Sequence, residues 1–196
     1  MAAIGPIQYI IETVVKLFSA IKIPPDLASQ IERLQKGVSG ARWSAPEKLH
    51  ITLAFYGEVD EDHVEVLDME LARKPYPSFK LSLGAAGHFG KSEPHSIWLD
   101  VKPSDELLVL HQHAKNAARR AGINIEARNY KPHVTLAYLR RGAPIERIID
   151  FEKRRAGFNC KPFIVDEFFL FSSHARARGS NVYRTEASYP LLGRVN

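Results

Sequence analysis

The chain has 196 residues, 45% hydrophobic and 25% charged, with a formal net charge of +5 and a pI near 9.3. That length suits one domain or two small lobes sharing a core, and a single cysteine, Cys160, excludes an internal disulfide framework and fits a reducing compartment such as the cytoplasm. No apolar run approaches a membrane span, and the positive charge permits an anionic partner without identifying one.

Residues 1–14 read as an N-terminal extension. Their segment "IGPIQYIIETVV" lacks a basic start and a small-residue cleavage site and carries Glu12, so it is expected to be an extension rather than a targeting signal. Residues 15–196 are expected to form one bilobal domain. "KLFSAIKI" alternates as a strand. "PPDLASQIERLQKGV" opens on Pro24 and Pro25 and repeats Leu27, Ile31 and Leu34 at helical spacing. "LHITLAFYG" is a strand bounded by Gly57. "DEDHVEVLDMELARK" is acidic at its front and basic at its end, with Val64, Leu67 and Leu71 on one helical face. "FKLSLGAAG" closes the set as a strand.

The second half repeats the plan. "SIWLDV" is a strand, and Pro103 to Ala121 is a helix opened by "PSDE" and followed by Gly122. "PHVTLAYLR" is the next strand, and a helix runs from Pro144 to about Arg155. "FIVDEFFLFSS" is a long strand, beside which "NVYRTEAS" pairs. Each half is thus strand–helix–strand–helix–strand, a duplication. Such alternation also suits a doubly wound parallel sheet. The polar-faced terminal strands favour antiparallel pairing, and hence an α+β pair of lobes.

The middle strand of each half reads His-x-Thr-Leu-Ala-aromatic, at residues 50–53 and 133–136 for the polar core of the motif, with 83 positions between His50 and His133. Strict alternation places His50, Thr52, Ala54 and Tyr56 on one face and Ile51, Leu53 and Phe55 on the other. It likewise separates His133, Thr135, Ala137 and Leu139 from Val134, Leu136 and Tyr138. Packed about an approximate two-fold axis, the two histidine faces meet across a groove.

A histidine pair suits phosphate-ester chemistry. Imidazole titrates near neutrality, so one ring can accept a proton from water while the other protonates the departing oxygen. Thr52 and Thr135 can donate to the non-bridging oxygens. With cationic histidine and such donors carrying the developing charge, no metal is needed.

Together with "KLFSAIKIP", "ARWSAPEKLHITLAFYGEV", "SIWLDV", "NYKPHVTLAYLR", "FIVDEFFLFSS" and "VYRTEASYPL", the two motifs resemble the two-histidine phosphoesterase superfamily. Within it the chain is similar to the RNA 2',3'-cyclic phosphodiesterases, historically called 2'-5' RNA ligases, from Lys16 to Leu192. The resemblance implies a LigT-like bilobal α+β fold, internally duplicated, with antiparallel sheets lining a central groove. It implies metal-independent opening of an RNA terminal 2',3'-cyclic phosphate to a 2'-phosphate without a cofactor, and secondarily 2'-5' ligation. His50 would protonate the departing 3' oxygen, His133 would activate water, and Thr52 and Thr135 would hold phosphate oxygens. The implied partner is RNA or an oligonucleotide with a cyclic end, with no membrane and no obligate protein partner, the chain acting as a monomer.

Two positions depart from that family's pattern. Tyr138 follows the second motif and Ser172 lies in "LFSSHARARG", places where relatives often carry arginine. Arg128, Lys131, Arg140, Arg176 and Arg178 are candidates to compensate, with Arg128 and Lys131 assigned to substrate binding. Tyr130 is a candidate stacking platform for the terminal base, and Tyr56 a candidate lining residue of the cleft.

"GHFGKSEP" fails as a phosphate loop, because Ala85 stands where the spacing requires glycine. His111 and His113 lie two apart on a helix and point to different sides, so they read as surface or partly packed rather than metal-ligating. "KNAARR" and "EKRR" read as solvated helix faces that add to a positive field. Two other functional classes stay open: an RNA-end binding protein with little turnover, and the same chemistry on a small cyclic nucleotide derivative.

Overall fold

The computed structural model describes residues 14–126, 129–176 and 180–193. The N-terminal extension up to residue 13, Arg128 and Arg178 lie outside the described residues. Among the described residues, ten strands and four α-helices follow in the order β1 (Val14–Lys22), α1 (Pro25–Glu32), β2 (Arg42–Trp43), β3 (His50–Asp60), α2 (Glu61–Ala72), β4 (Phe79–Leu81), β5 (Leu83–Phe89), β6 (Ser96–Val101), α3 (Asp105–Arg120), β7 (His133–Tyr138), α4 (Ile145–Lys153), β8 (Phe163–Val165), β9 (Glu167–His174) and β10 (Val182–Pro190). No described helix is long and apolar enough to cross a membrane.

Antiparallel pairing joins eight strands in one sheet, ordered β10-β9-β1-β3-β7-β6-β5 with β2 beside β7, and β4 pairs with β8 in a second, two-stranded sheet. The order shows the duplication directly. β9-β1-β3 on one side of the centre answers β5-β6-β7 on the other, and the two strands of the small sheet are counterparts as well. At the centre, β3 and β7 share one registered pair, Ile51 with Val134.

Local chemistry explains the helix boundaries. Pro25 occupies the first turn of α1, where its missing N–H costs nothing. Glu61 and Asp62 begin α2. Ser104 caps α3 by accepting from the Leu107 N–H at 3.2 Å, Arg119 and Arg120 end it, and Gly122 follows with φ +73°. The apolar faces of these helices and the inward residues of the central strands form one core, in which Ile31, Ile51, Leu53, Leu67, Leu99 and Phe151 are all but completely buried.

Three expectations need correction. "FKLSLGAAG" is two strands, because the chain breaks at Ser82 and passes from the small sheet into the large one. "FIVDEFFLFSS" breaks in the same way at Asp166. Strict alternation also fails in both motif strands. Leu53 and Ala54 are both buried, and so are Leu136 and Ala137, where the register against β1 and β6 slips by one residue. These are β-bulges. Each turns the following aromatic, Phe55 or Tyr138, onto the histidine face, and the first drives Tyr56 into the core.

Candidate active site

The bulges begin beyond the polar part of each motif, so His50, Thr52, His133 and Thr135 keep a common face. Across β1, Lys22 stands opposite His50 and Ala20 opposite Thr52. Across β6, Asp100 stands opposite His133 and Trp98 opposite Thr135. The single Ile51–Val134 pair sets the two motifs side by side and running in opposite directions. Counting outward from it, each histidine comes level with the threonine of the other strand.

Both imidazoles are held identically. Nδ1 of His50 lies 2.7 Å from the Lys48 carbonyl, and Nδ1 of His133 lies 2.7 Å from the Lys131 carbonyl. A carbonyl oxygen only accepts, so each Nδ1 carries its hydrogen in every protonation state, and Nε2 is the nitrogen that exchanges a proton. Burial holds His50 below the ordinary histidine value; the Lys48 hydrogen bond opposes this, and the neighbouring His133 adds to it. Burial also depresses His133, against the Lys131 carbonyl bond and, more weakly, Asp100, while the Lys131 ammonium pushes it further down. Both rings are therefore set toward the neutral, proton-accepting form. An anion between them would draw protonation back.

Aromatic rings floor the groove on each side. Phe18 lies 5.1 Å from the His50 ring, stacks on Phe171 at 5.1 Å, and meets Tyr183 edge-on. On the other side Phe89 meets His133 edge-on at 4.9 Å, and Lys131 Nζ lies 4.0 Å from the Trp98 ring centroid. Trp98 rests on Gly87, where an added Cβ would lie 2.3 Å from the indole. Beside His50 a cavity of about 390 Å³ brings Lys22, Lys48 and Arg176 together with Phe171 and Tyr183. Burial, with the Tyr138 hydroxyl beside it, pushes the Tyr183 phenol up to about 12.

Of the basic candidates, Lys131 lies beside His133 and Arg176 lines the cavity at His50, whereas Arg140 lies in the turn after β7. Two tyrosines take places other than those expected. Tyr56 is 3% exposed and its hydroxyl donates to Ser19 at 2.7 Å, so it belongs to the core and not to the cleft lining. Tyr130 lays its ring flat against His111, 3.7 Å apart, and donates to the Thr52 carbonyl at 3.1 Å. It is a wedge beside β3 rather than an open platform. His111 reaches the Leu53 carbonyl and His113 the Leu71 carbonyl, so both are packing histidines. Sequence reasoning missed Phe18, Lys22, Trp98 and Asp100, although each shares the strand parity of the residue opposite a motif histidine or threonine.

Known proteins resemble the chain in sequence and in fold. The chain is 33% identical over 168 residues, 83% of its length and 90% of the relative's, to the RNA 2',3'-cyclic phosphodiesterase of Escherichia coli. It is 33% identical over 128 residues, 62% of its length and 68% of the relative's, to that of Thermotoga maritima. The crystal structure of E. coli LigT complexed with 3'-AMP superposes with a TM-score of 0.73 at 27% identity, covering 92% of this chain and all of that one. The sequence model of the 2'-5' RNA ligase superfamily matches residues 23–177, and the chain belongs to that superfamily.

Proposed function

We propose that the chain hydrolyses a 2',3'-cyclic phosphate at an RNA end to a 2'-phosphate, with His133 as base and His50 as acid. The observation that carries this reading is the matched pair of imidazoles, each with Nδ1 tied to the carbonyl two residues before it. Nε2 of His133 takes a proton from water as the oxygen attacks phosphorus. The bond from phosphorus to O3' breaks, and Nε2–H of His50 protonates O3', leaving a 2'-monoester and a 3'-hydroxyl. Thr52 and Thr135 donate to the non-bridging oxygens. The chain itself supplies acid, base and oxyanion donors, so the step is metal-independent. A 5'-hydroxyl in place of water gives a 2'-5' linkage by the same displacement, as a secondary reaction. The names of the E. coli and T. maritima relatives support the substrate class.

The test incubates a short RNA ending in 2',3'-cyclic phosphate with excess EDTA and identifies the product by phosphorus NMR. The expected product is the 2'-phosphate alone, formed about 10²–10⁴ times more slowly with His50→Ala or His133→Ala. A 3'-phosphate product would place the acid on the other oxygen. A requirement for added metal would remove the two-histidine mechanism.

A further inference from the structure

We infer that Phe55 is a stacking platform for the base one nucleotide upstream of the RNA end, which makes the site selective for oligonucleotides over mononucleotides; this rests on the function proposed above. Phe55 is 63% exposed, unusual for a phenylalanine in the middle of a paired strand. Its position is built in, because the bulge at Leu53 and Ala54 turns it out of the core and onto the face of His50. The same bulge recurs in the other half and presents Tyr138 there. The Tyr138 ring already has a planar cation near it, the Arg42 guanidinium 5.5 Å from its centroid. Among the described residues the ring neighbour of Phe55 is Phe18, tilted at 37° with 5.8 Å between centroids, and most of the Phe55 surface stays exposed.

Its place outside the His50 cavity sets which base it can meet. Phe18, buried beneath the groove, neighbours both, with ring centroids 5.1 Å from His50 and 5.8 Å from Phe55. With the phosphate at the histidines the terminal nucleoside fills the cavity beside His50, whose lining includes Tyr183 but not Phe55, and the next base along the chain is the one that reaches Phe55. Stacking of this kind is indifferent to base identity, since every base has a π face. An exposed phenylalanine contributes nothing to a substrate that ends before reaching it.

The test compares Phe55→Ala with the unaltered protein on a cyclic-ended trinucleotide and on the corresponding 2',3'-cyclic mononucleotide. It adds equilibrium binding of the trinucleotide ending in 3'-phosphate, which needs no turnover. The expected result is a roughly tenfold lower kcat/KM and weaker binding for the trinucleotide, no change for the mononucleotide, an unchanged melting temperature, and recovery in Phe55→Trp. Equal losses on both substrates would make Phe55 a support for His50 through Phe18 and overturn the inference, as would no loss on either. If the unaltered protein turns over neither substrate yet binds the trinucleotide through Phe55, the catalytic reading fails while the platform stands.

Discussion

Asp100 faces His133 directly across the β6–β7 ladder, at the place that Lys22 holds toward His50 across β1–β3. The two halves match in backbone and carry opposite charges at these two equivalent positions. Burial depresses His133, and Asp100 partly restores it. Replacing Asp100 with Asn should therefore lower the His133 pKa. With His133 as base, the acidic limb of the pH profile of kcat/KM moves to lower pH. If the alkaline limb moves instead, the roles of the two histidines are exchanged.

His50→Ala and His133→Ala should each lower turnover by about 10²–10⁴, and the double variant should be little worse than the poorer single one, because acid and base act as a unit. Binding of an RNA ending in 3'-phosphate should survive in both. Single-turnover kinetics beside equilibrium binding separates these outcomes, and additive losses would argue against a coupled pair.

Stability should fall with acidification below about pH 6.5, the ordinary histidine value. Burial depresses His50, His133, His111 and His113, so between their folded values and 6.5 the unfolded chain binds more protons, and stability rises with pH. It is fully present above 6.5 and is lost as pH falls through the folded values. Urea midpoints at pH 7.5 and 5.5 measure this. Adding phosphate, which favours protonated histidine in the groove, should flatten the dependence.

Tyr56→Phe should cost about 1–2 kcal/mol of folding free energy, because it strands the buried Ser19 hydroxyl. Turnover should stay intact. A raised KM without loss of stability would instead return Tyr56 to the substrate's path.

Gly87→Ala drives a methyl group into the Trp98 indole and should cost about 1–3 kcal/mol. The ring carries Lys131 Nζ on its face, so its tilt should also displace the ammonium beside His133. A lower melting temperature with a raised KM is expected, and wild-type values for both would show that the indole has room to move.

The motif histidines and threonines were legible because a repeated polar pair in apolar strands needs only parity to be placed. The helices were legible through Pro25, Ser104 and Gly122, which act locally. The failures share a cause: they depend on neighbours distant in sequence. Leu53-Ala54 and Leu136-Ala137 look like ordinary alternating strand, and only pairing against β1 and β6 shows the extra residue. Tyr130 beside His133 gave no sign of His111, nineteen positions earlier, waiting beneath it. The breaks at Ser82 and Asp166 carry no glycine or proline, and only the switch of sheet reveals them.

The exchange of closing strands has a consequence for assembly. β5, made by the first half, pairs with β6 of the second, and β9, made by the second, pairs with β1 of the first. Neither half is a self-sufficient folding unit. A fragment covering only the first would end in a strand without a bed, and its natural refuge would be a twin fragment offering the same vacancy. The single chain is thus built like one swapped dimer, its two halves interlocked and joined end to end.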